Sequence, residues 1–156
     1  MAGFGLDAVV LRFFSLYGPG LRKQLFWDLA RRVQAGERRL ELSGRGDEAR
    51  DFLFVDDAVA LIGLAAAMPP STALRTLNAG RGEGISVRTA AETLVRALGS
   101  EVAVGFTGET RPGDPASLVA DISEARRLGF APRIGFEAGI GRLAAWIRTP
   151  AAQGLA

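Results

Sequence analysis

The segment Ala8-Val9-Val10-Leu11-Arg12-Phe13-Phe14 constrains the fold more than any other stretch of the chain. It is rich in β-branched and aromatic residues, and its apolar positions are continuous rather than alternating. A strand with one wet face alternates, whereas a continuous run suits a strand covered on both faces, as in a parallel sheet. Parallel strands need crossover connections, usually helices, and a helical signal follows. After the turn residues Ser15 to Gly20, the apolar residues Leu25, Phe26, Leu29, Ala30 and Val33 recur at helical spacing within 23–35, and Gly36 stops the pattern.

The alternation continues along the chain. Residues 39–42 and 50–55 read as short strands on either side of the loop 43–48. Asp56 and Asp57 stand where they can cap an Ala-rich helix over 58–68, which Pro69-Pro70 closes. Residues 74–77 read as a strand, Ser86 caps a helix running to about Leu98, and 102–105 is a further short strand. Helices over 123–128 and 136–147 complete the pattern. Strands alternating with helices predict an α/β fold. The 156 residues, 48% of them hydrophobic, suffice for one compact domain and are too few for two full ones.

Composition removes much chemistry. There is no cysteine and no histidine, so disulfides, thiolate nucleophiles and thiolate metal sites are excluded, and the commonest metal ligand and general base are missing. The net charge is only +2, and the basic residues are one lysine, Lys23, with arginines scattered singly or in pairs. Without a run of five or six basic residues, nucleic acid is not an expected partner. Scattered arginine suits a planar, bidentate grip on a small phosphate or carboxylate. No basic segment precedes the first apolar run, and the longest apolar stretch, 58–68, is too short to cross a bilayer. The expectation is a cytoplasmic chain with no membrane partner.

Three glycine clusters resemble phosphate loops. Residues 3–8 and 44–49 fit G-x-G-x-x-A, but that fingerprint works only between a strand and a helix N-terminus, whose dipole and free N–H groups hold the pyrophosphate. Here each match precedes a strand, which predicts plain turns. Residues 80–84 do lie between a strand and a helix, yet their G-x-G-x-G spacing lacks the final close approach, so a loop is expected.

Four segments in order carry a resemblance. Arg12-Phe13-Phe14-Ser15-Leu16-Tyr17-Gly18-Pro19-Gly20, Arg50-Asp51-Phe52-Leu53-Phe54-Val55-Asp56-Asp57, Asn78-Ala79-Gly80 and Arg111-Pro112-Gly113-Asp114 resemble the C-terminal half of the extended short-chain dehydrogenase/reductases. These are the NAD-dependent nucleotide-sugar epimerases and dehydratases, and UDP-glucose 4-epimerase-like enzymes of polysaccharide biosynthesis look closest. Asp121-Ile122-Ser123, residues 128–132 and residues 139–146 fit the same pattern, so the likeness spans roughly 9–146.

The resemblance implies one unit over 1–156. It would hold the last strands of a doubly wound, Rossmann-type parallel sheet, near 8–14 and 74–78, plus a small α/β substrate-binding part, with the N-terminal cofactor half missing. Arg50 and Arg111 match the arginines that grip a substrate diphosphate, which fits the guanidinium fork. Ser15 stands where an asparagine usually touches the nucleotide sugar, Asp114 matches a polar residue nearby, and Leu40-Glu41-Leu42 matches the strand lining the base. The cofactor implied is NAD. The family's proton-transfer pair, a tyrosine and a lysine four residues on, is not carried here: the single tyrosine, Tyr17, is followed four places later by Leu21, across Gly18-Pro19-Gly20.

The function expected is therefore the nucleotide-sugar-binding portion of such an enzyme, catalytically incomplete by itself, with a separate NAD-binding half or a second copy as protein partner. The alternatives are a stand-alone nucleotide-sugar binding module and an inactive fragment. The strand at 9–14 would keep a single neighbour, leaving an apolar edge and face open and predicting marginal stability, aggregation or dependence on a partner. Tyr17, Trp27 and Trp146 are expected to pack rather than to act on a ligand.

Overall fold

The computed structural model describes residues 7–71, 74–110 and 112–153. In chain order the elements are β1 (Val9–Phe13), β2 (Ser15–Tyr17), α1 (Gln24–Gln34), β3 (Arg39–Leu42), β4 (Ala49–Arg50), β5 (Phe52–Phe54), α2 (Val55–Ala66) and β6 (Arg75–Ala79). They continue with β7 (Ile85–Ser86), α3 (Val87–Ala97), β8 (Ala103–Phe106), β9 (Ser117–Leu118), α4 (Ser123–Arg127), α5 (Phe136–Ile147) and α6 (Pro150–Gln153). The α/β class expected from the alternation is the class observed.

Parallel pairing dominates. β1 runs parallel to β6, with Val9 opposite Arg75 and Phe13 opposite Ala79, and β2 runs parallel to β5. β3 and β8 form a third parallel pair, while β4 lies between antiparallel β7 and parallel β9. The turn expected from Ser15 onward begins three residues later, because Ser15–Tyr17 is a strand. The chain changes partner at one point: the Phe14 amide donates to the Ala79 carbonyl, and the next amide, Ser15, donates to that of Asp51. The strand expected at 50–55 is likewise divided by Asp51 into β4 and β5.

Strand alternation builds two cores from β5. Phe52 and Phe54 face one cluster, with Tyr17, Phe26, Leu29, Leu40, Leu94, Phe136 and Ile140. Leu53 faces the other, with Ala58, Leu61, Leu77, Ile122 and Phe130. The rings of Tyr17, Phe26, Phe52 and Phe136 lie 5.1–6.2 Å apart, in the tilted and edge-on arrangements that aromatic quadrupoles favour. Tyr17 is 1% exposed, and its hydroxyl donates to the Phe136 carbonyl at 3.2 Å. Burial pushes its phenol well above the usual value, with Arg81 pulling in the other direction. The close approach of α5 depends on Gly139, where a Cβ would stand 2.1 Å from the Tyr17 oxygen.

The helix ends follow local chemistry in part. Ser86 caps α3 as its sequence position implies, its Oγ accepting from the Thr89 amide at 3.0 Å. Asp56 and Asp57 stand in the first turn of α2, where their charge complements the helix N-terminus as expected, but the capping role expected of them is not what the fold uses. Phe54 is the N-cap residue of α2, with no side-chain cap. Asp57 is 4% exposed and accepts from the Arg133 and Ile134 amides at 2.9 and 3.0 Å. Asp56 is exposed and meets Arg142 at 3.2 Å. A buried carboxylate is best satisfied by several N–H groups, and the backbone at 133–134 offers two.

Among the described residues β1 hydrogen-bonds to β6 alone. Val10 and Phe13 are 38% and 42% exposed, and Val59, Ile62 and Leu74 are also open, as the unpartnered edge and face imply. No described helix is long and apolar enough to cross a membrane.

Candidate functional site

The chain segments that diverge at Phe14 enclose a cavity of about 360 Å³. Phe14, Ser15, Leu16 and Tyr17 form one wall, Arg50 and Phe52 the adjoining one, and Val87 and Leu143 reach it from α3 and α5. Gly18 and Leu21 also line it, and the wall is completed by Lys23, Gln24, Leu25, Phe26 and Trp27. These last five are the N-cap and first residues of α1, so that helix opens its N-terminus on the cavity. The helix has no side-chain cap and no acidic residue in its first turn, leaving its partial positive end uncompensated by a local carboxylate. Gln24 adopts φ 67°, a left-handed conformation uncommon for a residue with a side chain and found at ligand-holding sites.

The charges on this wall share one sign. Among the described residues that line it, Lys23 and Arg50 are the cations and none is a carboxylate. Arg50 is half-buried, and its Nη1 donates to the carbonyls of Ala49 and Pro115 at 2.9 and 3.0 Å. The remaining guanidinium donors are available to an anion, in the fork geometry that matches phosphate or carboxylate oxygens. Apolar and aromatic side chains make up most of the surface, the usual make-up of a small-molecule site.

Two of the sequence-predicted residues, Ser15 and Arg50, are brought together here. Asp114 lies on an exposed loop after Gly113, joined to Arg50 through the Pro115 carbonyl. Arg111 lies outside the described residues. Leu40 is wholly enclosed in the core, Leu42 is half-buried against it, and Glu41 is exposed and paired with Arg39 at 2.9 Å; none of the three lines the cavity. Lys23, Gln24 and Trp27 were not singled out as ligand residues. The signal available for them was Lys23, the chain's single lysine, standing at the start of an uncapped helix. Trp27 and Trp146 do pack together, 5.9 Å between centroids, with the Arg22 guanidinium 5.9 Å from each ring, but Trp27 also faces the cavity.

The glycine loops do not fit a dinucleotide. In the 44–49 loop the Glu48 carboxylate takes the Arg45 and Gly46 amides, both at 2.8 Å, and those bonds hold it below the usual carboxylate range. In the 80–84 loop the Asp51 carboxylate takes the Arg81 and Gly82 amides at 2.6 and 2.8 Å. The N–H groups that would cradle a pyrophosphate are already spent on internal anions, and the 44–49 loop leads into β4 rather than a helix. The 3–8 match falls outside the described residues apart from its last two positions. A wider groove of about 550 Å³ beside α2 contains Asp56 and Asp57, both engaged as described above. Among the described residues no cluster of acidic side chains is arranged to hold a metal.

A family profile described as the NAD dependent epimerase/dehydratase family matches residues 1–80, just over half of the 156. The chain belongs to that family. Within the epimerase/dehydratase family, a UDP-glucuronate 4-epimerase of Thermodesulfobacterium geofontis is 30% identical over 145 residues, covering 92% of this chain and 44% of the relative. A UDP-glucuronic acid 4-epimerase of Bacillus cereus, solved with UDP-glucuronic acid and NAD, superposes with a TM-score of 0.83 at 26% identity. It covers 94% of this chain and 47% of the other. The UDP-glucose 4-epimerase of Thermotoga maritima, solved with UDP-glucose, gives 0.81 at 26% identity over 94% and 48%. The chain thus spans under half the length of the curated relatives it matches. The parallel, Rossmann-type architecture expected from the sequence is that of the epimerase/dehydratase family, which is NAD-dependent.

Proposed function

We propose that these 156 residues are the nucleotide-sugar-binding portion of an NAD-dependent epimerase or dehydratase, 4-epimerase-like, and that the cavity between β2, β4 and α1 receives the substrate diphosphate. The observation that supports this reading is the single-signed cavity wall, with Arg50 and Lys23 present and no carboxylate among the described lining residues. Arg50 grips the diphosphate through a charge-assisted fork, and Ser15 offers a hydroxyl to the sugar-phosphate end. Asp114, next to the Pro115 that holds Arg50, adds a further polar contact, and Arg111, which lies outside the described residues, is assigned to the same diphosphate from its family position. Glu41 and Leu42 do not line the cavity and are assigned to the base, outside it, from their family position alone. The ligand is a nucleoside-diphosphate sugar, as the names of the family's solved relatives suggest.

The hydride chemistry belongs to NAD held by residues other than these. Both described glycine loops are closed by internal carboxylates, and the buried Tyr17 has no lysine four residues on, so this portion binds and orients without carrying the proton-transfer pair. Calorimetry with UDP and UDP-glucose tests the proposal. Binding at or below millimolar ligand is expected, and Arg50→Ala should weaken it by about 1.5–3 kcal/mol, the worth of one charge-assisted contact, with Arg50→Ala/Arg111→Ala weaker still. No heat at millimolar ligand, or equal affinity in the variants, would overturn it.

A further inference from the structure

We infer that Asp51 is a positioning residue for this cavity: its buried carboxylate sets the direction in which the Arg50 guanidinium stands. The inference rests on the anion-binding reading above and adds a residue that touches no ligand. Asp51 is 0% exposed, and no ion pair to it occurs among the described residues. Among the described residues its partners are backbone amides, Arg81 on Oδ1 and Gly82 and Ala120 on Oδ2, at 2.6, 2.8 and 3.1 Å. A buried ion without a cation is expensive where an apolar side chain could fill the same space, so its presence calls for a job beyond filling the core.

The backbone supplies that job. Successive side chains of extended chain point to opposite sides, so when Asp51 is seated in its amide nest, Arg50 is turned toward the cavity. The Asp51 carbonyl accepts from the Ser15 amide at 2.9 Å, and its own amide donates to Leu118 at 3.1 Å. One residue therefore ties together the strand bearing Ser15, the strand next to the loop whose Pro115 carbonyl holds Arg50, and the 81–82 turn. The nest is shaped for the carboxylate: at Gly80 a Cβ would lie 2.5 Å from Oδ2 and 2.4 Å from the Ala120 Cβ. Asp51→Asn keeps the volume but has one acceptor oxygen, so its NH2 faces at least one N–H and the side chain must turn.

The test is a double-mutant cycle on the full chain, with UDP as ligand in calorimetry and Arg side-chain nitrogen resonances read by NMR. Asp51→Asn should weaken UDP roughly tenfold, the equivalent of one misdirected charge-assisted contact, and should have little further effect in an Arg50→Ala background. A merely structural Asp51 would lower the melting temperature and cost the same affinity in both backgrounds, which overturns the inference. The Arg50 Nε–H and Ser15 amide signals should move in Asp51→Asn without ligand. If they stay in place while those of Arg81, Gly82 and Ala120 shift, the inference fails whether or not UDP binds. Should the wild type bind no UDP, the proposed function falls, and these ligand-free signals still decide the positioning role. If Asp51→Asn does not fold, hydrogen exchange on the wild type decides: bound UDP should slow the Arg81, Gly82 and Ala120 amides, and unchanged rates would refute the coupling.

Discussion

Replacing Gly139 and Gly141 by alanine, one at a time, sets two physical effects against each other on a single helix. Both residues lie inside α5, and an alanine in a helix interior is favoured over glycine by about 1 kcal/mol. At Gly141 the added methyl meets nothing within 4 Å, so Gly141→Ala should gain about 0.5–1 kcal/mol. At Gly139 the same methyl would stand 2.1 Å from the Tyr17 oxygen and 2.9 Å from Phe54 Cδ2. Both neighbours are buried, Tyr17 among four phenylalanine rings and Phe54 between Tyr17 and the Arg142 guanidinium, so neither can yield freely. Overpacking of this kind costs about 1–3 kcal/mol, and displacing the Tyr17 hydroxyl from the Phe136 carbonyl removes about 0.5–1.5 kcal/mol more. Subtracting the propensity gain leaves a net loss of about 0.5–3.5 kcal/mol for Gly139→Ala, roughly 1–14 °C in a chain of this size. Circular dichroism at 222 nm, followed against temperature and urea, reads both variants. If Gly139→Ala is as stable as Gly141→Ala, the packing of α5 on Tyr17 described here is wrong.

Other perturbations follow from the same contacts. Tyr17 ionises with difficulty in the fold, because burial raises its pKa. The native state then keeps its proton when the unfolded chain releases it, so the stability linked to this group is complete below pH 10 and lost as pH rises through the folded pKa. Tyr17→Phe should flatten the alkaline fall in urea midpoint above pH 10, and in the wild type the absorbance of the single tyrosinate at 295 nm should grow in only with unfolding. An identical alkaline profile in the two proteins would contradict this. Ser86→Ala should cost about 1 kcal/mol through loss of the α3 cap, read as a lower urea midpoint with unchanged slope. Asp57→Asn leaves one of the Arg133 and Ile134 amides without a carboxylate oxygen and should destabilise by about 1–3 kcal/mol, with faster exchange confined to one of the two amides. UDP should change the intrinsic fluorescence of the wild type, and Trp27→Phe should remove most of that change while Trp146→Phe keeps it.

Periodicity made the regular parts of the fold legible. The helix bounds 136–147 and the strand bounds 39–42 agree with the structure, and the continuous apolar run at the start does pair in parallel with the strand after residue 74. The errors share a cause: partners distant in sequence. β2 was hidden because Gly18-Pro19-Gly20 suggests a turn, while what keeps Ser15–Tyr17 extended is β5, some forty residues away. β7 and β9 have two residues each, too few for any period, and exist only by flanking β4. Asp57 carries the sequence signature of a cap, yet the amides it serves are 76 and 77 positions on. In the cavity, Ser15 and Arg50 could be named through family likeness, whereas Lys23, Gln24 and Trp27 were absorbed into an amphipathic helix pattern that does not reveal which end of the helix opens on a hollow.

The change of partner at Phe14 has a consequence for how the molecule opens. Two consecutive amides, Phe14 and Ser15, are locked by acceptors in different parts of the fold, Ala79 at the end of β6 and Asp51 between β4 and β5, so their exchange with solvent deuterium reports on two separate cooperative units. Loosening of the pair β1 with β6 would release the first amide while the second stayed protected by Asp51. A single residue step along the backbone thus divides the thermodynamic fate of the outer strand from that of the site wall.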